Sequence, residues 1–113
     1  MLVSTDLAER GLAGSWAYGA AKAGLHGLVA SLAHDLGQDG VLANIVMPGV
    51  TLENGTHRVI PGPALAEFAK RFTAQRLPDA ADVAAAIVFL CSARTTATTG
   101  EILRVTGGVL NAA

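Results

Sequence analysis

The sequence has few of the features that mark several common functional classes, and each shortage excludes something. Cysteine occurs once, at Cys91, which excludes an internal disulfide and a cysteine-based zinc site and favours a reducing, cytoplasmic setting. Lysine and arginine form no cluster and the net charge is −1, so the chain lacks the basic surface of a nucleic-acid-binding protein. The longest apolar run, Val83–Cys91, is far shorter than the ~20 residues that span a membrane. No basic segment followed by an apolar stretch opens the chain, so we expect no signal peptide.

Charged and aromatic residues are also scarce, at 15% and 4% of the 113 residues, whereas 51% are apolar. A typical domain carries about 25% charged residues. The length fits one domain, and the apolar content excludes a disordered chain. We therefore expect a core of alanine, valine, leucine and isoleucine, and an apolar face that meets a partner.

Apolar residues at helical spacing predict a long helix over residues 16–36, with Ser15 as a candidate N-cap. The apolar stripe consists of Leu25, Leu28, Val29, Leu32 and Leu36. Glycine costs a helix about 1 kcal/mol relative to alanine. Three glycines nevertheless lie in this helix: Gly19, Gly24 and Gly27. Either the helix packs closely on a sheet, or another helix or a ligand approaches its backbone.

The remaining segments predict strands and helices in alternating order. The predicted elements are a strand end at 1–4, a loop at 5–15, the helix at 16–36, a strand at 41–47, a long loop at 49–63, a helix at 64–76, a helix at 79–92 and a strand at 101–105. Asp79 and Asp82 have the spacing of a capping box at the start of the last helix. This order predicts βαβ units, and so an α/β fold of about three parallel strands with helices.

Tyr18 and Lys22 are the pair of side chains that most clearly indicates chemistry. At positions i and i+4 of the predicted helix they share one face. An ammonium beside a phenol stabilises the phenolate, and such a phenol can exchange a proton with an alcohol or carbonyl oxygen. The spacing alone is common in helices, so its context decides.

The motifs around this pair resemble the C-terminal half of the short-chain dehydrogenase/reductase family, over essentially the whole chain. In family order they are Ser4-Thr5 after a strand, Tyr18-x-x-x-Lys22 in an Ala/Gly-rich helix, Asn44-x-x-x-Pro48-Gly49 at a strand end, Pro78-Asp79 before a helix with Val83-Ala84, Thr99-Gly100 before the last strand and Gly107-Gly108 after it. The TG-x-x-x-x-V-x-GG ending is similar to that of 3-oxoacyl-thioester reductases. The resemblance implies a Rossmann-like, doubly wound parallel sheet. It also implies an NAD(P)-dependent oxidoreductase that acts on a small carbonyl or alcohol substrate.

The resemblance implies a role for each matching position. Tyr18 would be the general acid or base, and Lys22 would favour its ionised form and bind the nicotinamide ribose. Thr5 lies where the family has the serine that polarises the substrate oxygen, and Ser4, on the other side of the strand, is the alternative. Glu53 stands where the family often has a threonine, and its charge would repel a pyrophosphate. The residues implied to contact the cofactor are Tyr18, Lys22, Pro48, Gly49, Val50 and Thr51.

The family binds the pyrophosphate on a glycine-rich turn, and no G-x-G-x-x-G occurs in this sequence. We therefore expect the chain to begin inside the family's fifth strand and to lack the N-terminal nucleotide-binding half. It would then be a truncated gene product, or an internal methionine was taken as its start. The isolated chain is expected to bind NAD or NADP very weakly and to turn over no substrate. Residues 50–76 would cover the substrate.

Two other functions compete with an oxidoreductase. The main alternative is a non-catalytic oligomerisation or interaction module, because the family packs the Tyr/Lys helix against its two-fold mate and Gly24 and Gly27 would permit such a homo-oligomer. A hydrolase is disfavoured because G-x-S-x-G is absent. The three histidines, His26, His34 and His57, lack metal-ligand spacing, so we expect no metal site and place them in solvent or at an interface.

Overall fold

The computed structural model describes residues 1–52 and 60–109. The strands are β1 (Leu2–Val3), β2 (Ile45–Pro48) and β3 (Ile102–Val105), and the helices are α1 (Leu7–Arg10), α2 (Trp16–Gly37), α3 (Gly62–Ala69) and α4 (Ala80–Cys91). Within these two ranges, no helix combines the length and the hydropathy needed to cross a membrane. Glu53 and His57, both singled out in the sequence, lie outside the described residues.

The three strands form one parallel sheet in the order β1-β2-β3, so β2 is its centre. Leu2 pairs with Ile45, and Ile45 pairs in turn with Ile102. Helix α2 joins β1 to β2, and α3 and α4 join β2 to β3, as parallel strands require. The prediction of an α/β fold with three parallel strands is confirmed.

The core lies between β2 and α2. Ile45, Val46 and Met47 are fully buried, because a central parallel strand is covered on both faces. Val29 of α2 forms one cluster with Ala43, Ile45 and Met47, and the partly buried residues packed against it are Leu2, Leu25, Leu32 and Ile102. Leu28 was expected on the same apolar stripe but is exposed. The stripe that faces the sheet is therefore narrower than the spacing predicts, and it is centred on Val29.

The predicted loop before α2 contains a short helix, α1. Asp6 stands just before it, and Arg10 Nε binds the Asp6 carboxylate at 2.6 Å, so this i, i+4 pair closes the turn. Gly11 ends α1 with a φ of 68°, a left-handed conformation that glycine adopts without steric cost. Ser15 precedes α2 as expected, but its hydroxyl donates to Leu12 O at 2.7 Å and does not cap the helix.

β2 begins later than the strand predicted over residues 41–47. Ala43, two positions before the strand, is bound to a turn that precedes β3. Its N–H donates to Thr99 Oγ1 at 3.1 Å, and its carbonyl accepts from the Gly100 N–H at 2.7 Å. The N–H and carbonyl of Ala43 therefore hydrogen-bond to the turn, and regular strand pairing starts only at Ile45.

α3 also ends earlier than the helix predicted over residues 64–76. The chain turns after it and buries Phe72, whose ring meets that of Phe68 edge-on with the centroids 5.3 Å apart. The Ala74 N–H then donates to Gly107 O at 3.0 Å, next to the end of β3. Burying an aromatic ring in this position outweighs a further helical turn.

α4 begins at the predicted capping box. The Asp82 N–H donates to Asp79 Oδ1, and the Asp79 N–H donates to Asp82 Oδ2, both at 2.9 Å. The Arg76 guanidinium adds two hydrogen bonds to the Asp82 carboxylate, at 2.6 and 3.0 Å. These bonds, the one from Arg76 first, hold the pKa of Asp82 well below its usual range.

Candidate active site

The carboxyl ends of the three strands meet at one edge of the sheet. A Cβ added at Gly49, which follows β2, would lie 3.2 Å from Thr106 Cα after β3 and 3.4 Å from Asp6 Oδ2 after β1. The Asp6 N–H also donates to Pro48 O at 2.9 Å, which joins the ends of β1 and β2. Ligands of open parallel sheets bind at this edge, and several residues singled out in the sequence lie on it.

Tyr18 and Lys22 lie one helical turn apart on α2, as the sequence predicts. Lys22 Nζ is 5.9 Å from the centroid of the Tyr18 ring, which is 50% exposed. The same ammonium donates a hydrogen bond to Val3 O at 3.0 Å. The Tyr18 and Lys22 side chains therefore share a face of α2, and the lysine ties that face to β1.

The start of α2 lies close to α1. A Cβ added at Gly19 would meet Leu7 O at 3.4 Å, which is ordinary van der Waals contact. Gly19 therefore faces α1, but packing on α1 does not require a glycine there. In the described parts of the chain, a Cβ at Gly24 or Gly27 would meet no atom within 4 Å. Packing on the sheet does not explain these two glycines, and the alternative of an outside partner remains for them.

Ser4 and Thr5 use their hydroxyl groups differently. The Ser4 Oγ donates to Lys22 O at 3.4 Å and lies 2.8 Å from His26 Nε2. The Thr5 Oγ1 donates to Asp6 Oδ1 at 3.5 Å and accepts from the Leu7 N–H at 3.4 Å. Within residues 1–52 and 60–109, no hydrogen bond joins either hydroxyl to the phenol of Tyr18. To bind a substrate oxygen beside Tyr18, Thr5 would have to turn its hydroxyl away from Asp6.

Asp6 is a residue that the sequence analysis missed. It is only 2% exposed, and its carboxylate is held by Arg10 at 2.6 Å. A buried carboxylate normally needs such a cationic partner. The signal in the sequence was the i, i+4 spacing of Asp6 and Arg10 directly after the strand. This charged pair fixes the turn that carries Thr5.

The segment after β2 follows a path set by its own hydrogen bonds. The Gly49 N–H donates to Val105 O at 3.1 Å, and the Thr51 hydroxyl donates to Gly49 O at 3.1 Å. The Leu52 N–H donates to Pro78 O at 2.7 Å, so the chain passes over the start of α4. Pro48, Gly49, Val50 and Thr51 are each half-buried at the carboxyl edge of the sheet.

His26 is not the solvent or interface histidine that we expected. Its side chain is 18% exposed, its Nε2 contacts Ser4, and its Nδ1 is 3.9 Å from Glu9 Oε1. Glu9 is held in turn by Arg104 Nη2 at 2.6 Å. The missed signal was spacing, because His26 follows Lys22 by four residues and so shares its face of the helix. His34 is exposed, as expected.

Known enzymes are similar to this chain over most of its length. The family profile described as enoyl-(acyl carrier protein) reductase matches residues 1–110. The 3-oxoacyl-[acyl-carrier-protein] reductase of Salmonella typhimurium is 38% identical over 107 residues, which are 95% of this chain and 43% of that protein. The (3R)-3-hydroxyacyl-CoA dehydrogenase of Canis lupus familiaris is 35% identical over 107 residues, 95% of this chain and 41% of that protein.

Solved structures agree with these sequence matches. An oxidoreductase of the short chain dehydrogenase/reductase family from Burkholderia thailandensis superposes with a TM-score of 0.86 at 37% identity, covering 96% of this chain and 43% of that one. ElxO with NADP bound gives a TM-score of 0.86 at 26% identity, covering 97% and 46%. The chain therefore spans less than half the length of each of these four relatives.

Proposed function

The chain belongs to the short-chain dehydrogenase/reductase family, and we propose that it is the C-terminal catalytic part of an NAD(P)-dependent oxidoreductase that interconverts a carbonyl and an alcohol. The observation that carries the proposal is the Tyr18–Lys22 pair, with the ammonium 5.9 Å from the phenol ring and the ring half exposed. A small carbonyl or alcohol substrate of the 3-oxoacyl type is proposed from the relatives named above.

Tyr18 would exchange a proton with the substrate oxygen. Its ring is exposed enough to meet a ligand, and the Lys22 ammonium lies on the same helix face, 5.9 Å from the ring centroid. Lys22 is anchored to Val3 O, which keeps the ammonium at the carboxyl edge of the sheet. Thr5, one of the buried residues at that edge, would polarise the substrate oxygen once its hydroxyl turns from Asp6.

The residues at this edge fit the nicotinamide end of a cofactor. Lys22 and the half-buried segment Pro48–Thr51 would hold it, and the bound nicotinamide would supply or take up the hydride. Gly49 itself is explained by packing, because a Cβ there would meet Thr106 and Asp6. The sequence offers no glycine-rich turn for the pyrophosphate, so we propose that the chain alone holds the cofactor poorly. Residues 50–76, of which 53–59 lie outside the described residues, are proposed to cover the substrate.

The proposal is tested by replacing the matching segment of the Salmonella reductase with residues 1–110 of this chain. We expect the chimera to oxidise NADPH with a 3-oxoacyl thioester. Tyr18→Phe, which removes only the hydroxyl, should abolish turnover but retain most of the cofactor binding, because Lys22 and Pro48–Thr51 remain. Trp16→Phe is the matched control, because Trp16 is an exposed aromatic residue on the first turn of the same helix. A chimera that stays active with Tyr18→Phe would contradict the proposal.

The chain without the graft gives a separate result. Calorimetric titration with NADH and with NADPH should show no binding in the micromolar range, because no residue of this chain is proposed to hold the pyrophosphate. Micromolar binding of either cofactor would show that this part of the proposal is wrong.

A second candidate function is self-association through α2. Its outer face carries Trp16, which is 82% exposed, the exposed Leu28, and open space at Gly24 and Gly27. A strip of small and apolar residues allows close approach of a second helix. We expect a sedimentation-equilibrium mass above that of one chain, and a return to one chain when Gly24 and Gly27 are both changed to leucine. A chain that is monomeric at all concentrations would exclude this function.

A further inference from the structure

Four residues join the end of β1 to the middle of α2: Val3, Ser4, Lys22 and His26, called the Ser4 cluster below. Ser4 is 4% exposed, and its hydroxyl contacts both Lys22 O and His26 Nε2, at 3.4 and 2.8 Å. Val3 O accepts from Lys22 Nζ at 3.0 Å. Lys22 is thus held twice, at its backbone carbonyl and at its ammonium, by neighbouring groups of one strand.

The Ser4 hydroxyl has two neighbours in the Ser4 cluster, Lys22 O at 3.4 Å and His26 Nε2 at 2.8 Å, and the shorter contact is the one to the histidine. A serine hydroxyl can both donate and accept, so this contact is a hydrogen bond whichever ring nitrogen carries the hydrogen. The opposite ring nitrogen of His26 faces the Glu9 carboxylate at 3.9 Å, and two hydrogen bonds from Arg104, at 2.6 and 3.3 Å, hold that carboxylate. Glu9 and Arg104 therefore orient the ring.

We propose that His26 is a positioning residue for the Tyr18–Lys22 pair. It fixes the Ser4 hydroxyl, and Ser4 in turn fixes the lysine relative to the end of β1, which Thr5 follows. His26 acts through Ser4 and takes no part in proton transfer. The inference rests on the proposed function, because positioning matters for the reaction only if Lys22 assists Tyr18.

The geometry explains why a histidine suits this place. Leucine would fill similar volume, but it would leave the buried Ser4 hydroxyl without its hydrogen-bond partner on α2. Glutamine carries an amide group at nearly the same distance from the backbone, which can donate or accept and so can replace Nε2. The two substitutions therefore separate the hydrogen bond from the packing of the side chain.

The two lysines of the chain, Lys22 and Lys70, allow a direct measurement. Trace labelling with acetic anhydride, followed by peptide mass spectrometry, gives the rate at Lys22 relative to the exposed Lys70. We expect His26→Leu and Ser4→Ala to raise this ratio about two- to tenfold, the range that loss of one ordinary hydrogen bond allows. His26→Gln should stay within about twofold of the wild-type ratio. His34→Leu, an exposed histidine of the same helix, is the matched control and should leave it unchanged.

An unchanged ratio in a folded His26→Leu variant would overturn the inference, and so would a His26→Gln variant that behaves like His26→Leu. If the leucine variant does not fold, Ser4→Ala decides: an unchanged ratio in that variant would overturn it. Labelling needs neither cofactor nor substrate. An unchanged labelling ratio therefore refutes only the role of His26, whereas activity of the Tyr18→Phe chimera refutes the proposed function.

Discussion

Asn44 is a buried side chain that ties the start of β2 to the turn before β3, and its removal should be costly. It is 2% exposed; its Nδ2 donates to Thr98 O at 2.8 Å, and its Oδ1 accepts from the Glu101 N–H at 3.1 Å. Leaving a buried polar group without its partner costs about 1–3 kcal/mol. Thr98 is half-buried and Glu101 is exposed, so water can replace part of the hydrogen bonding that the substitution removes. Asn44→Ala should therefore lower the free energy of unfolding by about 2–3 kcal/mol.

The measurement is urea unfolding followed by far-UV circular dichroism, because the exposed Trp16 makes fluorescence a poor reporter of folding. The matched control is Gln38→Ala, which removes an exposed amide with a single hydrogen bond at 3.5 Å and should change stability by less than about 0.5 kcal/mol. A loss at Asn44→Ala as small as in the control would refute the argument that these two hydrogen bonds hold the turn.

Asn44→Asp tests the same two hydrogen bonds through the pH dependence of stability. The introduced carboxyl keeps an acceptor for the Glu101 N–H, but when ionised it turns an oxygen toward Thr98 O. Burial and this carbonyl should raise the pKa of the introduced carboxyl above about 3.9, its ordinary value. A raised folded-state pKa of an acid gives stability that is present at low pH and is lost as pH rises through it. The variant should therefore be less stable at neutral pH than in mild acid, relative to wild type.

Two further predictions concern glycine and the start of α4. Gly24→Ala should stabilise the chain by about 0.5–1 kcal/mol, because the site is an open helical position. Gly108→Ala should instead destabilise it by at least about 1–2 kcal/mol, because φ is +91° and the added Cβ would lie 2.6 Å from Thr73 Cβ. Urea unfolding measures both free energies, and equal effects of the two substitutions would contradict the reasoning. Because the pKa of Asp82 is lowered, chiefly by its hydrogen bonds with Arg76, its contribution to stability is present above the unfolded-state pKa and is lost as pH falls through the folded one. In Asp82→Asn, the free energy of unfolding should fall less as the pH is lowered than it does in the wild type. The same pH dependence in both proteins would show that the Arg76–Asp82 pair contributes nothing.

The parts of the fold that depend on neighbouring residues were predictable from the sequence. The leucine spacing gave α2 within one residue, and the Asp79–Asp82 capping box gave the start of α4. The parts set by distant residues were not. β2 begins late because Thr99 and Gly100 bind Ala43, and nothing near Ala43 in the sequence indicates this.

The candidate site divides in the same way. Tyr18 and Lys22 are one turn apart, so their proximity follows from the helix alone. The contact between Ser4 and His26 joins a strand to a helix, and its geometry depends on how α2 packs on the sheet through Val29. A sequence pattern can predict residues that share a face, but it does not specify which residue of another element meets that face.

The hydrogen bond from Lys22 to Val3 has a consequence for the outer edge of the sheet. Leu2 and Ser4 donate their N–H groups to β2, so the alternating pattern of a strand turns the polar groups of Val3 to the opposite side. Lys22 thus occupies the carbonyl that an additional strand beside β1 would use. A chain that extends the sheet on this side would compete with the ammonium for this oxygen atom, so growth of the sheet would favour release of the lysine.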